Sequence, residues 1–463
     1  MPPRLLSPRR PPWLTFTLQR PQYRRFTVLG IETSCDDTSI ALLHAPPTSA
    51  PQLLYHRTVT SSNRIYRGVH PVVSLNSHRT NLAPLIQECL SLHPDHRPDL
   101  ISATRGPGMA GALAVGYDTA QGLSVGLGIP FIGVNHMHAH LLTSRMVESL
   151  SGSTPLSLNP NDPVKFYPKF PFLTLLVSGG HTMLVHSRSL LSHKIIANTI
   201  DVAVGDMIDK AARDLLPESY IASSSGKQSN KDAICYGQLL EDFCFPSGGG
   251  VAGENYVYFA PGTKARKAQN KALLEKYGDW GISEPLKKWD KGKRAAVFSF
   301  GGMGSEVDRA LQKNKISEDD VETRRAMGRE TMVRAFEHVI SRAVMALEAM
   351  PFEERLEVRD LVVSGGVASN GFLRHMARVY LKEKGFWDVR LVTPPPKFCT
   401  DNAAMIAWTG LEMWRDGWRT ELGVYPIRKW TLDSEVGAGD VEKGLDVVAG
   451  LMGADGWVRR DTE

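Results

Sequence analysis

The sequence predicts an α/β protein of two similar halves arranged around a phosphate-binding cleft. The first observation is a repeated grammar. "FTVLGIETSCDDTSIALL" (26–43) and "FPFLTLLVSGGHTMLVH" (170–186) each read as an apolar strand, a small polar turn and a second strand. The second observation is that "VRDLVVSGGVASNGFLR" (358–374) is another buried strand that runs into Gly-Gly and then a helix. Backbone amides in such turns face outward and take anionic oxygens with no side chain in the way. One Gly-Gly after a strand is usually only a turn. Three such strand ends, two of them opening similar halves, point to a nucleotide.

The elements follow in order. Residues 1–26 hold six arginines (Arg4, Arg9, Arg10, Arg20, Arg24, Arg25) and no acid, so the net charge of +5 becomes −1 once this leader is set apart. Overall basicity therefore says nothing about affinity for RNA. With Trp13, Leu14, Phe16 and Leu18 interspersed and no continuous apolar core, the leader reads as a mitochondrial transit peptide rather than a secretory signal. Its prolines weaken an amphipathic helix, and a disordered basic tail is the alternative. Residues 27–145 form the first lobe. Within it, 101–136 reads as strand, Gly/Pro turn, a helix rich in small residues for close packing on a sheet, and a further strand. Its apolar region 108–134 is interrupted by Asp118, Gln121 and glycines, so no membrane span is expected.

Segment 146–171, rich in Ser, Pro and Asn, is the expected connection between lobes. Residues 172–433 form the second lobe, with an insertion at 217–295. Within that insertion, 261–294 holds ten basic and four acidic residues, a local +6 that is either a candidate RNA patch or a solvated face. The tail, 434–463, lacks periodicity and is expected to be peripheral. At 42% hydrophobic and 22% charged, the chain has the composition of an ordinary soluble globular protein. Five scattered cysteines with no CxxC pair fit a reducing compartment rather than a disulfide framework.

The chemistry concentrates at "NHMHAH" (135–140). His136 and His140 are four apart and project from the same helix face, so they can share a metal ion; His138 points elsewhere. A zinc-peptidase reading needs H-E-x-x-H, whose Glu activates water, and Met137 occupies that position. A histidine pair at a helix start without metal stays open. In "PPPKFCTDNAAMIAWTG" (394–410) a Pro-rich loop places Asp401 near a helix N-terminus, where a carboxylate can simply cap.

Taken together, "GIETSCDDTSIAL", "HMHAH", "VSGGHT", "DKAARDLL", "SGGVASN" and "CTDNAAMIA" resemble the tRNA N6-adenosine threonylcarbamoyltransferase family, once described as O-sialoglycoprotein endopeptidases. The likeness runs from about Val28 to Asp433, and with the basic leader it looks most like the mitochondrial branch. It implies an actin-like ATPase (ASKHA) fold of two related α/β lobes around a nucleotide cleft. The implied reaction moves a threonylcarbamoyl group from L-threonylcarbamoyladenylate, made by a separate adenylate-forming enzyme, to N6 of the adenosine following the anticodon. The tRNAs are those reading codons that begin with A, and AMP leaves. The setting implied is the mitochondrial matrix, with a homodimer and no membrane association.

Position by position, the resemblance places metal ligands at His136, His140 and Asp401. That set leaves coordination positions open and suits one divalent ion, Fe or Zn. It puts Leu176, Val177, Ser178, Gly179 and Gly180 at the adenylate phosphate and carbamoyl end. Asp209 and Asn370 correspond to ribose and adenine contacts, and Gly237 to the second glycine of a Y-P-G-G-P turn. Three positions depart from the family's pattern. Val72 replaces a glutamate, "ICYGQLLE" (234–241) replaces the glycine turn, and "FGGM" (300–303) replaces F-S-G-L. The mixed-anhydride substrate carries a good leaving group, so positioning and oxyanion stabilisation are the main tasks. Glu32 and His181 are the candidates for taking the amine proton. Two other readings are weighed against this one. A phosphotransferase of the same fold would hold Mg through carboxylates and water. A non-catalytic nucleotide-binding scaffold would tolerate replacement of Asp401.

Overall fold

The computed structural model describes residues 25–46, 48–63, 69–152, 156, 166–224, 235–246, 256–286, 296–436 and 450–459. The first half comprises β1 (Phe26–Glu32), β2 (Asp37–Ala45), β3 (Gln52–Thr60), α1 (Pro71–Leu92), β4 (Leu100–Gly106), α2 (Ala110–Leu127), β5 (Phe131–Asn135) and α3 (His136–Ser151). The second half opens with β6 (Phe172–Val177), β7 (Thr182–Ser187), β8 (His193–Thr199), α4 (Val204–Leu215), α5 (Glu218–Ser224), α6 (Tyr236–Cys244) and α7 (Lys264–Tyr277). It continues through β9 (Val297–Phe298), α8 (Met303–Lys313), α9 (Val321–Ala349), α10 (Phe352–Glu357), β10 (Asp360–Ser364), α11 (Gly371–Glu383), β11 (Arg390–Val392) and α12 (Ala403–Arg415). A ribbon of β12 (Trp418–Thr420) and β13 (Trp457–Arg459) follows.

The duplication inferred from the repeated grammar is present in the topology. The first sheet runs β3-β2-β1-β4-β5 and the second β11-β10-β6-β7-β8-β9. In each, an antiparallel meander of three strands (β1–β2–β3 and β6–β7–β8) is followed by two strands parallel to its first member (β4 and β5; β10 and β11). The apolar runs read as strands are buried along both faces in β1, β4 and β6, as strands between helical layers must be.

One helix crosses over from the half to which its sequence position assigns it. α12 follows β11 of the second sheet, yet its core residues Met405, Ile406 and Trp408 pack with Val28, Leu43 and Ile132 of the first. Two glycines allow the approach. A Cβ on Gly30 of β1 would lie 2.3 Å from the Ala403 carbonyl, and one on Gly410 would lie 1.8 Å from Ser102 Oγ. The span 172–433 expected for the second lobe therefore includes a helix that packs on the first sheet.

Other expectations for the organisation of the chain are also modified. α3 continues to Ser151, past the linker start expected at 146. Within 217–295, α6 buries Leu240, Phe243 and Cys244 in the core of the second half. Basic Arg266 of α7 is 3% exposed and pairs with Glu337 of α9 at 3.2 Å, so this part of the charge run is anchored rather than solvated. Lys287, Lys288, Lys291 and Lys293, four of the ten basic residues of that run, lie outside the described residues, as does nearly all of the leader. The tail is not peripheral where it is described. Leu451 and Ala454 are buried against Trp430 and Leu176, and Arg105 donates to the Asp455 carbonyl at 2.6 Å. None of the five cysteines forms a disulfide. Among the described residues, no helix is long and apolar enough to cross a membrane.

Candidate metal centre and nucleotide cleft

The duplicated topology brings corresponding strand ends together. α3 leaves β5 of the first sheet and α12 follows β11 of the second, and the two helices pack on each other with their first turns side by side. Each start has a dedicated cap. The Asn135 side chain accepts the His138 amide at 3.1 Å, and that of Asn402 accepts the Met405 amide at 3.0 Å. Capping of α12 thus falls to Asn402, which leaves the Asp401 carboxylate free to face α3.

His140 Nε2 lies 3.1 Å and His136 Nε2 3.3 Å from Asp401 Oδ1. One ligand atom from each of the three residues falls within 4.8 Å of the others. The imidazoles are buried, whereas Asp401 is 27% exposed and opens the group to a cleft. Behind the histidines, Glu32 Oε2 sits 3.0 Å from His136 Nδ1. Glu32 also accepts from the Ser34 amide at 2.5 Å and from Thr104 Oγ1 at 2.5 Å. With Nδ1 engaged by this carboxylate, the Nε2 lone pair is directed at the Asp401 side, the arrangement that orients a metal-bound histidine. Two nitrogens and one carboxylate converging on an open cleft fit a divalent ion.

The electrostatics describe the same cluster. Burial opposes charge on His136, but Asp401 and Glu32 outweigh it and raise the ring's pKa well above its ordinary value. Burial likewise opposes charge on Asp401 and Glu32, and His136 more than compensates, so both are lowered. His140 is lowered, chiefly by burial. His138 faces the other way. It is buried against His193 with ring centroids 4.9 Å apart, and burial pushes its pKa well down.

The cleft has a volume of about 810 Å3. His136, His140, Asp401, Leu176, Ser178 and Gly179 line it, as do Gly180 and His181. Ser178 Oγ accepts from the Gly180 amide at 3.3 Å and from the His181 amide at 3.0 Å, which tightens the β6–β7 turn. A Cβ on Gly179 or Gly180 would meet nothing within 4 Å, so the turn presents bare backbone to the cleft. His181 is neutral, pushed down to about 4 by burial and then by His136.

Five of the anticipated residues do not line this cleft. Val177 is buried in the second core. Glu32 is fully buried behind His136, so it orients that ring and does not reach a substrate proton. Asp209 and Gly237 do come together, the Gly237 amide donating to Asp209 Oδ1 at 2.7 Å. Burial pushes Asp209 up to about 6. Asn370 caps α11, accepting the Leu373 amide at 2.9 Å. Val72 lies in the first turn of α1 and is 57% exposed.

The cleft also contains residues that the sequence reading passed over. Cys35, Asp36 and Asp37 come from the β1–β2 turn, Pro107 and Gly108 from the loop after β4, and Arg428 and Lys429 from the segment after β12. The repeated grammar marks the β1–β2 turn as anion-facing, without roles for its individual side chains, and the turn occupies the same topological position as the β6–β7 turn. Arg428 and Lys429 carried no motif. Burial raises Asp37 to about 7.

A family model described as TsaD, tRNA N6-adenosine threonylcarbamoyltransferase, matches residues 53–408. The mitochondrial tRNA N6-adenosine threonylcarbamoyltransferase of Schizosaccharomyces pombe is 34% identical over 424 residues, covering 89% of this chain and 88% of its own. The corresponding enzyme of Chelativorans sp. is 33% identical, over 88% of this chain and 95% of its own. That of Methylocapsa acidiphila is 31% identical, over 89% and 98%. With its two-lobed topology, its His-His-Asp cluster and these relatives, the chain belongs to the tRNA N6-adenosine threonylcarbamoyltransferase family.

Proposed function

We propose that the chain transfers the threonylcarbamoyl group of L-threonylcarbamoyladenylate to N6 of adenosine 37 in tRNAs reading codons that begin with A. The reaction releases AMP and takes place in the mitochondrial matrix. The observation that carries this reading is the convergence of His136, His140 and Asp401 on an open cleft that is also lined by the bare Ser178–Gly180 turn. His136, His140 and Asp401 would hold one Fe or Zn ion, which supplies Lewis-acid polarisation of an oxygen when bound. Glu32 fixes the His136 ring. The Gly179 and Gly180 backbone faces the adenylate end and stabilises charge developing on its oxygens. Asp209, held by Gly237, and Asn370 belong to the nucleoside side. The anhydride already has a good leaving group, so holding the amine against the carbamoyl carbon contributes several kcal/mol. His181, neutral and lining the cleft, is the residue left to accept the amine proton. The enzyme works as a homodimer, with a separate adenylate-forming enzyme supplying its substrate.

The test is reconstitution. The mature chain is incubated with tRNA, threonine, bicarbonate, ATP and an adenylate-forming enzyme, and digested nucleosides are read by mass spectrometry. Modified adenosine in the wild type, lost in Asp401→Ala, is the expected result. Equal activity in both proteins would remove the site assignment, and no product from either would remove the reaction.

A further inference from the structure

The segment after β12 forms a strap along the cleft, held by buried side chains and hydrogen bonds. Val424, Trp430 and Leu432 are buried and anchor it at both ends. The Ile427 amide donates to the Arg105 carbonyl at 2.7 Å, the Gly108 amide to the Arg428 carbonyl at 3.1 Å, and Arg105 Nε to the Tyr425 carbonyl at 2.9 Å. The fully buried Arg105 guanidinium stacks over the Trp430 ring at 5.7 Å. Between these anchors, Tyr425 is 81% exposed, and Arg428 and Lys429 are exposed side chains lining the cleft.

Among the described residues that line the cleft, those two are the only lysine or arginine, and the lining also includes Asp36, Asp37 and Asp401. A polyanion approaching the candidate metal site meets a wall that carries these acidic groups, with Asp36 and Asp37 held less acidic than usual by burial. The strap is where fixed positive charge offsets them. An exposed aromatic ring three residues from a pair of cations, on a backbone that needs no further ordering, is the pattern that binds single-stranded nucleic acid. The ring stacks on an unpaired base and the cations take phosphates.

We propose that Tyr425, Arg428 and Lys429 form the contact for the single-stranded anticodon loop, steering the target adenosine into the cleft. The proposal rests on the tRNA-modifying function above and identifies which surface meets the RNA. It offers a cleft-side surface beside the basic run at 261–294, of which Lys287, Lys288, Lys291 and Lys293 lie outside the described residues.

The test uses the full mature chain and an unmodified tRNA in filter binding at several salt concentrations, with adenylate affinity measured separately. Each lost phosphate contact to a single strand lowers the salt slope by about 0.7. The double variant Arg428→Gln/Lys429→Gln should therefore lower the slope by about 1.4 and weaken binding at low salt about tenfold. Tyr425→Ala should weaken binding about tenfold with the slope unchanged, since stacking releases no counterions. The swap Arg428→Lys/Lys429→Arg should retain both affinity and slope.

Wild-type affinity and slope in the double variant would overturn the proposal. So would weakened adenylate binding with normal tRNA binding, which would assign the cations to the small substrate. These outcomes are separable from failure of the proposed reaction, because binding is scored without turnover and the wild type alone decides whether product forms.

Discussion

Glu32 and His136 form a buried pair in which the carboxylate Oε2 lies 3.0 Å from Nδ1, on the side of the ring away from Asp401. Such a partner orients a metal-binding histidine and typically changes metal affinity about 10–100-fold. Glu32→Gln is expected to weaken metal binding by that order, measured by metal titration of the stripped protein, and excess metal should restore activity. A carboxylate acting directly as the base would leave activity lost at every metal concentration.

The metal itself gives a second prediction. Elemental analysis should show metal lost in His136→Ala and Asp401→Ala and retained in His138→Ala, because His138 turns into the core against His193. Equal loss in all three would dissolve the two-histidine, one-aspartate assignment.

Lobe packing gives a third. Arg145 of α3 donates to Glu412 of α12 through Nε at 3.0 Å and Nη2 at 2.8 Å, and Trp408 Nε1 donates to the same carboxylate at 2.6 Å. Both charged side chains are buried. Removing one partner strands the other, so Glu412→Ala should cost about 3–5 kcal/mol in denaturant unfolding. Replacing both Arg145 and Glu412 with apolar residues should cost less than the single change.

Acid stability gives a fourth. Burial pushes His193 down to about 4, so the unfolded chain binds a proton there that the folded chain does not. Its stabilising effect is complete above pH 6.5 and is lost as pH falls toward 4. Glu337, pushed up to about 7 by burial, works in the opposite sense, so the whole-protein profile mixes signs. A difference isolates the histidine. Relative to wild type, His193→Gln should gain about 1.4 kcal/mol per pH unit between 6.5 and 4 in denaturation series. A constant difference across that range would contradict the assignment.

The leader gives the last. N-terminal sequencing of the organellar protein should find a new terminus near residues 20–30, as six arginines without an acid imply. An intact Met1 would count against cleavage.

What could be read without coordinates was local or periodic. The apolar runs of β1, β6 and β10, the polar turns after them and the His136–His140 spacing are properties of neighbouring residues, and each has a fixed geometric consequence. The duplication was legible for the same reason, as a repeated local grammar. Three things depended on the tertiary structure, because each joins residues hundreds of positions apart. α12 packs on the sheet of the other half through Gly30 and Gly410, Glu32 retreats behind His136, and the Tyr425–Lys429 strap reaches the cleft through Arg105. Asp401 shows the division most clearly. By its local sequence alone it read better as a helix cap, and only the family resemblance named it a ligand. The structure gives the capping position to Asn402 and sets Asp401 beside two histidines on a helix from the other half, as a metal ligand would need.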